Sequence, residues 1–280
     1  VSVQATVGLG AGTDRGEREG FVPRVLAVPA VVGLALLVLP LGALVARVEW
    51  ATLWRDVTSP EALSALGLSL ATGAVATLAC IVLGVPLALL IARSRVRTAA
   101  VLRAIVTVPL VLPPMVGGVA MLFLLGRTSP LGGALAEFGI RIPFTTAAVV
   151  LAQTFVALPF LVLALEGSLR ATGVGYEQAA AGLGAGRWTI LLRVTLPLAA
   201  PGLIAGIVLC FARAIGEFGA TALFAGNAPG VTQTMPLAIY TAFNGAGVSQ
   251  GTAVALSLLL LVTAIGVLLL VRAWRAEAPR

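Results

Sequence analysis

Histidine is absent from this 280-residue chain, and so is lysine: all 18 basic residues are arginine. Without histidine there is no histidine-based catalytic triad and no histidine metal site. Without lysine the phosphate loop GxxxxGK(S/T) cannot be completed, so the chain is not expected to hydrolyse ATP. Only two cysteines occur, Cys80 and Cys210, each inside an apolar run. They are too few for a disulfide framework, lack metal-ligand spacing and read as small hydrophobes, so no metal site is expected. Charge of either sign is scarce, at 10% of residues, where a soluble domain carries about 25%. No paired catalytic carboxylates appear, which sets an intramembrane enzyme last among the candidate classes. The arginines are scattered between apolar runs rather than clustered with aromatics, which argues against a nucleic-acid partner.

What is present is apolar surface. Hydrophobic residues make up 59% of the chain and the mean hydropathy is +1.07. No soluble fold hides this much, so the class is an all-α integral membrane protein. A helix needs roughly 20 apolar residues to cross the hydrocarbon core. Six runs qualify: Val25–Ala46, Leu63–Ala92, Ala104–Gly126, Ile142–Leu165, Val194–Leu223 and Val248–Val271. Their unbroken hydrophobicity contradicts barrel alternation, and backbone groups in lipid must pair within the segment, so they are helices. The polar lead-in to the first run is long and its apolar core exceeds a signal peptide's, so it reads as a retained span. Residues 1–23 are glycine-rich and charged and are expected to be a flexible cytoplasmic tail, with 24–280 forming the membrane domain.

Six spans put both termini on one side. Thirteen arginines fall on that side (Arg15, Arg18, Arg24, Arg93, Arg95, Arg97, Arg103, Arg170, Arg187, Arg193, Arg272, Arg275, Arg280) and four on the other (Arg47, Arg55, Arg127, Arg141). The arginine-rich side is expected to be cytoplasmic, in a multi-pass protein of the cell membrane.

Several runs carry helix breakers. Pro113 and Pro114, followed by Gly117 and Gly118, interrupt the third. Broken helices are tolerated where they line a water-filled path, which makes Pro113 and Pro114 pore candidates. Arg213 and Glu217 stand at i, i+4 in the fifth run and read as the only clear charges within any of the spans. Two readings stay open: an aqueous path for an anion, or a structural ion pair. Thr221, Asn227, Thr232, Gln233 and Thr234 follow; their hydroxyls and amides could donate to a passing oxyanion or belong to a solvated loop. Gly202 and Gly206 form a GxxxG pair suited to close helix approach, within or between subunits.

Between the fourth and fifth runs lies YEQAAAGLGAGRWTILLRVTLPL, Tyr176 to Leu198. Its first residues suit a short helix over about 174–186. Glu177 favours the first turn, alanines propagate it, and Gly184 is placed to end it in a left-handed cap. Tyr176, Ala179, Ala180 and Leu183 share one small face. On these grounds the segment is either an interfacial linker helix or a docking surface.

Its spacing resembles the EAA motif of ABC importer permeases: Gln178-Ala179-Ala180, then Gly184, Val194 and Leu196-Pro197, with Gln178 in place of the motif glutamate and Glu177 beside it. LVLPPMVGGVAMLFLLGRTSPLG and FARAIGEFGATALFAGNAPGVTQTMPLAIY extend the likeness to the molybdate and sulfate branch, most like molybdate permeases. The resemblance implies a type I importer fold of six transmembrane helices, with Glu177, Gln178, Ala179, Ala180, Gly184, Leu196 and Pro197 in a cytoplasmic coupling helix. It also implies a second copy of the chain, two cytoplasmic ATPase subunits that hold ATP and Mg, an external oxyanion-binding protein, and no cofactor on this chain. Molybdate and tungstate are the expected cargo, transported by alternating access. The alternatives are a sulfate or thiosulfate permease and an ion-coupled secondary transporter.

Overall fold

A computed structural model describes residues 24–245 and 250–277; the tail expected over 1–23 lies outside them. The described residues are helices joined by short connections: α1 Ala27–Ala46, α2 Leu53–Val57, α3 Pro60–Arg93, α4 Val96–Val111, α5 Pro114–Leu125, α6 Pro130–Glu137, α7 Thr146–Thr172, α8 Gly175–Gly182, α9 Arg187–Ile190, a π-helical turn Leu191–Thr195, α10 Leu196–Ile215, α11 Gly219–Phe224, α12 Met235–Phe243 and α13 Gln250–Glu277. The apolar helix α1 belongs to a compact unit of its own, and the remaining helices form a second. Among the described residues four helices are long and apolar enough to cross a membrane: Ala27–Ala46, Pro60–Arg93, Thr146–Thr172 and Arg187–Ile215. The sixth expected run begins outside the described residues at Val248, and α13 carries the remainder.

Two expected spans are not single helices. The third, Ala104–Gly126, is α4 and α5 bent by 109°. Leu112 precedes a proline and is held extended at φ −68° and ψ 135°, because the proline ring crowds the helical region. Pro113 and Pro114 also withdraw two successive N–H donors, and Pro114 restarts the chain at the first position of α5. The fifth, Val194–Leu223, is divided at Gly216–Phe218. There Glu217 Oε1 accepts from the Ala220 N–H at 2.8 Å and serves the start of α11.

The spans α3, α7 and α10 make the core of the second unit. Ser59 caps α3 by accepting from Ala62 N–H at 3.2 Å, and Thr145 caps α7 by accepting from Ala148 N–H at 3.3 Å. The most apolar stretch of α7 is 61% buried, against 33% for α3 and 28% for Arg187–Ile215, so α7 is the central helix. Lipid is as apolar as leucine, so helices here associate by close packing rather than by escape from water. The contact is accordingly built from small residues: Ala76, Cys80, Ala157, Cys210 and Ala214 share one buried cluster with Leu161. A Cβ added at Gly206 would lie 3.1 Å from the backbone of Leu161, and one at Gly202 would collide with Ser168. The GxxxG pair thus packs α10 on α7 within one subunit.

Candidate coupling and translocation sites

The helix α8 spans Gly175–Gly182, close to the expected segment. Ala185 N–H bonds to Ala180 O at 3.0 Å and Gly184 N–H to Ala181 O at 3.0 Å. This is the paired closure of a Schellman end, and it needs the left-handed φ of +86° found at Gly184. Tyr176 is 65% exposed and Leu183 90%; Ala179 and Gln178 are exposed too, while Ala180 and Glu177 are partly covered. One side of α8 is therefore free. The other is tied down: Glu177 Oε1 lies 2.5 Å from Arg93 Nη2 at the end of α3 and accepts from Thr195 Oγ1 at 2.8 Å. A groove of about 360 Å³ runs beside it, lined in part by Gln178, Arg187 and Leu191.

The chain then enters α10 through the π-helical turn, where Leu196 N–H donates to Leu191 O five residues back. Pro197 explains the wide turn. It has no N–H, and its ring would strike the carbonyl four residues earlier in a regular helix, that of Arg193. Leu196 is partly buried and Pro197 exposed.

At the far end of α10, Arg213 Nη2 stands 2.6 Å from Glu217 Oε2. The contact lies off the hydrogen-bond direction, so that oxygen is ion-paired without a hydrogen bond among the described residues. The Glu217 side chain is 1% exposed and that of Arg213 26%. Beside them the two halves of the sequence resemblance meet. A Cβ on Gly118 would lie 2.7 Å from Ala220 O, and one on Gly219 would lie 3.1 Å from Pro114 Cβ. Thr221, Thr232 and Thr234 are fully buried. Thr232 Oγ1 accepts from Ala228 N–H at 2.9 Å, whereas the hydroxyls of Thr221 and Thr234 have no partner among the described residues. Asn227 is exposed and donates to Thr241 Oγ1 at 2.8 Å; Pro113 and Pro114 are exposed and Gln233 partly so. No metal-holding group of His, Cys, Asp or Glu occurs among the described residues.

Residues 84–275 match the family described as the inner membrane component of binding-protein-dependent transport systems. The chain belongs to that family. It is 50% identical over 248 residues to ModB, a molybdenum transport system permease protein of Mycobacterium tuberculosis, covering 89% of this chain and 93% of that one. It is 40% identical over 226 residues to ModB of Escherichia coli, covering 80% and 97%. Its fold matches a solved bacterial alginate ABC transporter in complex with a periplasmic protein, with TM-score 0.70 and 17% identity over 88% of this chain and 91% of that one.

This inner membrane component holds a further buried charge that the span boundaries hide. Glu166 is 3% exposed and lies one residue beyond the expected end of the fourth run, inside α7. Its Oε1 is 2.5 Å from Arg103 Nη2 and 2.7 Å from Arg170 Nε. Arg213 and Glu217 are therefore not the only charges within spans. The i, i+4 spacing of Glu166 and Arg170 was a usable signal; Arg103, 63 residues away, gave none. Nor did Arg93, which lies 84 residues from Glu177. Gln153 is fully buried in α7, with both amide atoms unpartnered among the described residues.

Proposed function

We propose that this chain is the membrane-spanning subunit of an ATP-driven importer for molybdate, which it moves by alternating access. The observation that carries the reading is the 50% identity, over 89% of the chain, to a relative named for molybdenum transport. The exposed face of α8 supports it as the surface on which an ATPase subunit docks.

In this reading two copies of the chain pair in the cell membrane and two cytoplasmic ATPase subunits hold ATP and Mg. An external binding protein delivers molybdate or tungstate. The chain itself holds no cofactor. The α8 end and both termini face the cytoplasm, a placement that the arginine excess supports. Arg213, Pro113, Pro114, Asn227 and Gln233, all at least partly exposed, are the side chains the anion can meet. Glu217, Thr221, Thr232 and Thr234 lie behind them. Arg213 is already paired with Glu217, so it contributes local field rather than a tight site, and release is easy. Selectivity then resides in the binding protein's closed pocket.

The test is uptake into vesicles reconstituted with the permease, its ATPase and its binding protein, with molybdate, tungstate and sulfate in competition. ATP-dependent uptake of molybdate and tungstate in preference to sulfate is expected. Preference for sulfate would place the chain in the sulfate branch, and uptake without an ATPase would make it a secondary transporter.

A further inference from the structure

We propose that Glu177 is an internal strut: it carries the motion of α8 into the helix bundle and takes no part in docking the ATPase. The proposal rests on the reading of α8 as the ATPase-docking helix.

Backbone alone links α8 poorly to its neighbours. On one side it joins α7 through Gly173, at φ +70°, and Val174. On the other, Leu183–Gly186 leads to α9 with Gly184 at φ +86°. Glycine torsions on both sides yield readily, so a push on an eight-residue helix would be absorbed there. The Glu177 carboxylate bypasses both hinges. Arg93, the last residue of α3, meets Glu177 Oε1 at 2.5 Å and also reaches Gly173 O at 3.4 Å. Thr195, the last residue of the π-helical turn, donates to the same carboxylate oxygen at 2.8 Å. One oxygen in the first turn of α8 thus joins the end of α3 and the entry to α10.

Partial cover sets these side chains apart from the freely exposed ones of α8. The side chains of Arg93 and Glu177 are 28% and 23% exposed, and Thr195 is 6% exposed. The free face of α8 is Tyr176, Ala179 and Leu183, and Gln178 occupies the motif's glutamate position. In this proposal the partner seats on that face, while the strut lines the groove beside it.

The experiment uses the assembled complex in proteoliposomes and reads molybdate transported per ATP hydrolysed, together with the ATPase retained on the purified permease. Glu177→Ala is expected to retain the ATPase and to hydrolyse ATP, while molybdate per ATP falls about tenfold, the factor that corresponds to about 1.4 kcal/mol of lost coupling. Thr195→Val, which keeps the volume and removes one bond, is expected to give a smaller fall of the same kind. The exchange of Arg93→Glu with Glu177→Arg should recover most of the ratio lost in either single variant. Loss of the ATPase from Glu177→Ala would overturn the proposal and make Glu177 a docking contact. An unchanged ratio in both Glu177→Ala and Thr195→Val would overturn it as well, and so would a charge exchange that inserts normally without recovery. A wild-type complex that hydrolyses ATP without moving molybdate would instead refute the function on which the proposal stands.

Discussion

At one end of the bundle Glu166 and Glu177 gather Arg93, Arg103 and Arg170 from α3, α4 and α7, whereas near the other end α5 and α11 meet through Gly118 and Gly219 with backbone against side chain and backbone. The first kind of joint runs through charged side chains, in which one carboxylate ties helix ends to one another by short charge-assisted contacts. The second kind is short and hard, because no flexible atom lies between α5 and the Ala220 carbonyl. The α8 end thus joins separate helices through side chains that water can reach, and the glycine end joins two helices through backbone contact that tolerates no added atom.

The comparison breaks most easily at the glycines. Gly118→Val drives a side chain into the backbone of α11, where a Cβ already sits 2.7 Å from Ala220 O. The expected cost is about 3 kcal/mol, the upper end for overpacking against a rigid neighbour. It should appear as a lower thermal midpoint of the purified permease in a fixed detergent. An unchanged midpoint would mean that α5 and α11 separate freely. Glu166→Gln should cost less, about 2 kcal/mol. Removing one member of a buried pair is expensive, but Arg103 and Arg170 are 41% and 45% exposed and can be solvated once released. A larger loss than that of Gly118→Val would reverse the comparison. The smallest effect is expected at Thr221→Val. Its hydroxyl is buried without a partner among the described residues, so an apolar replacement of the same shape should stabilise by up to about 1 kcal/mol. A clear loss of stability would show that the hydroxyl is satisfied after all.

Much of the fold was legible because it depends on local signals. The runs that became α3 and α7, the break at Pro113–Pro114 and the left-handed Gly184 all follow from residue chemistry within a few positions. The division at Gly216–Phe218 was not read, although Gly216, Glu217 and Gly219 stand there; in the structure Gly219 lies close against Pro114 and Met115. The candidate site was half legible. The spacing from Gln178 to Pro197 marked α8, yet nothing near Glu177 announces Arg93, and the inward turn of Glu177 depends on how α3 and α7 end beside one another. Glu166 was missed for a different reason. The fourth run was ended at Leu165, one residue short of it, although a carboxylate held by two arginines sits well inside α7.

The two cysteines have a practical consequence. Cys80 and Cys210 are both 0% exposed and belong to the same core cluster between α3 and α10. Neither thiol can be reached by a bulky aqueous maleimide while the bundle is folded. The native chain therefore serves as its own unreactive background, and a single cysteine introduced at Arg127 would report alone which face of the bilayer that connection occupies.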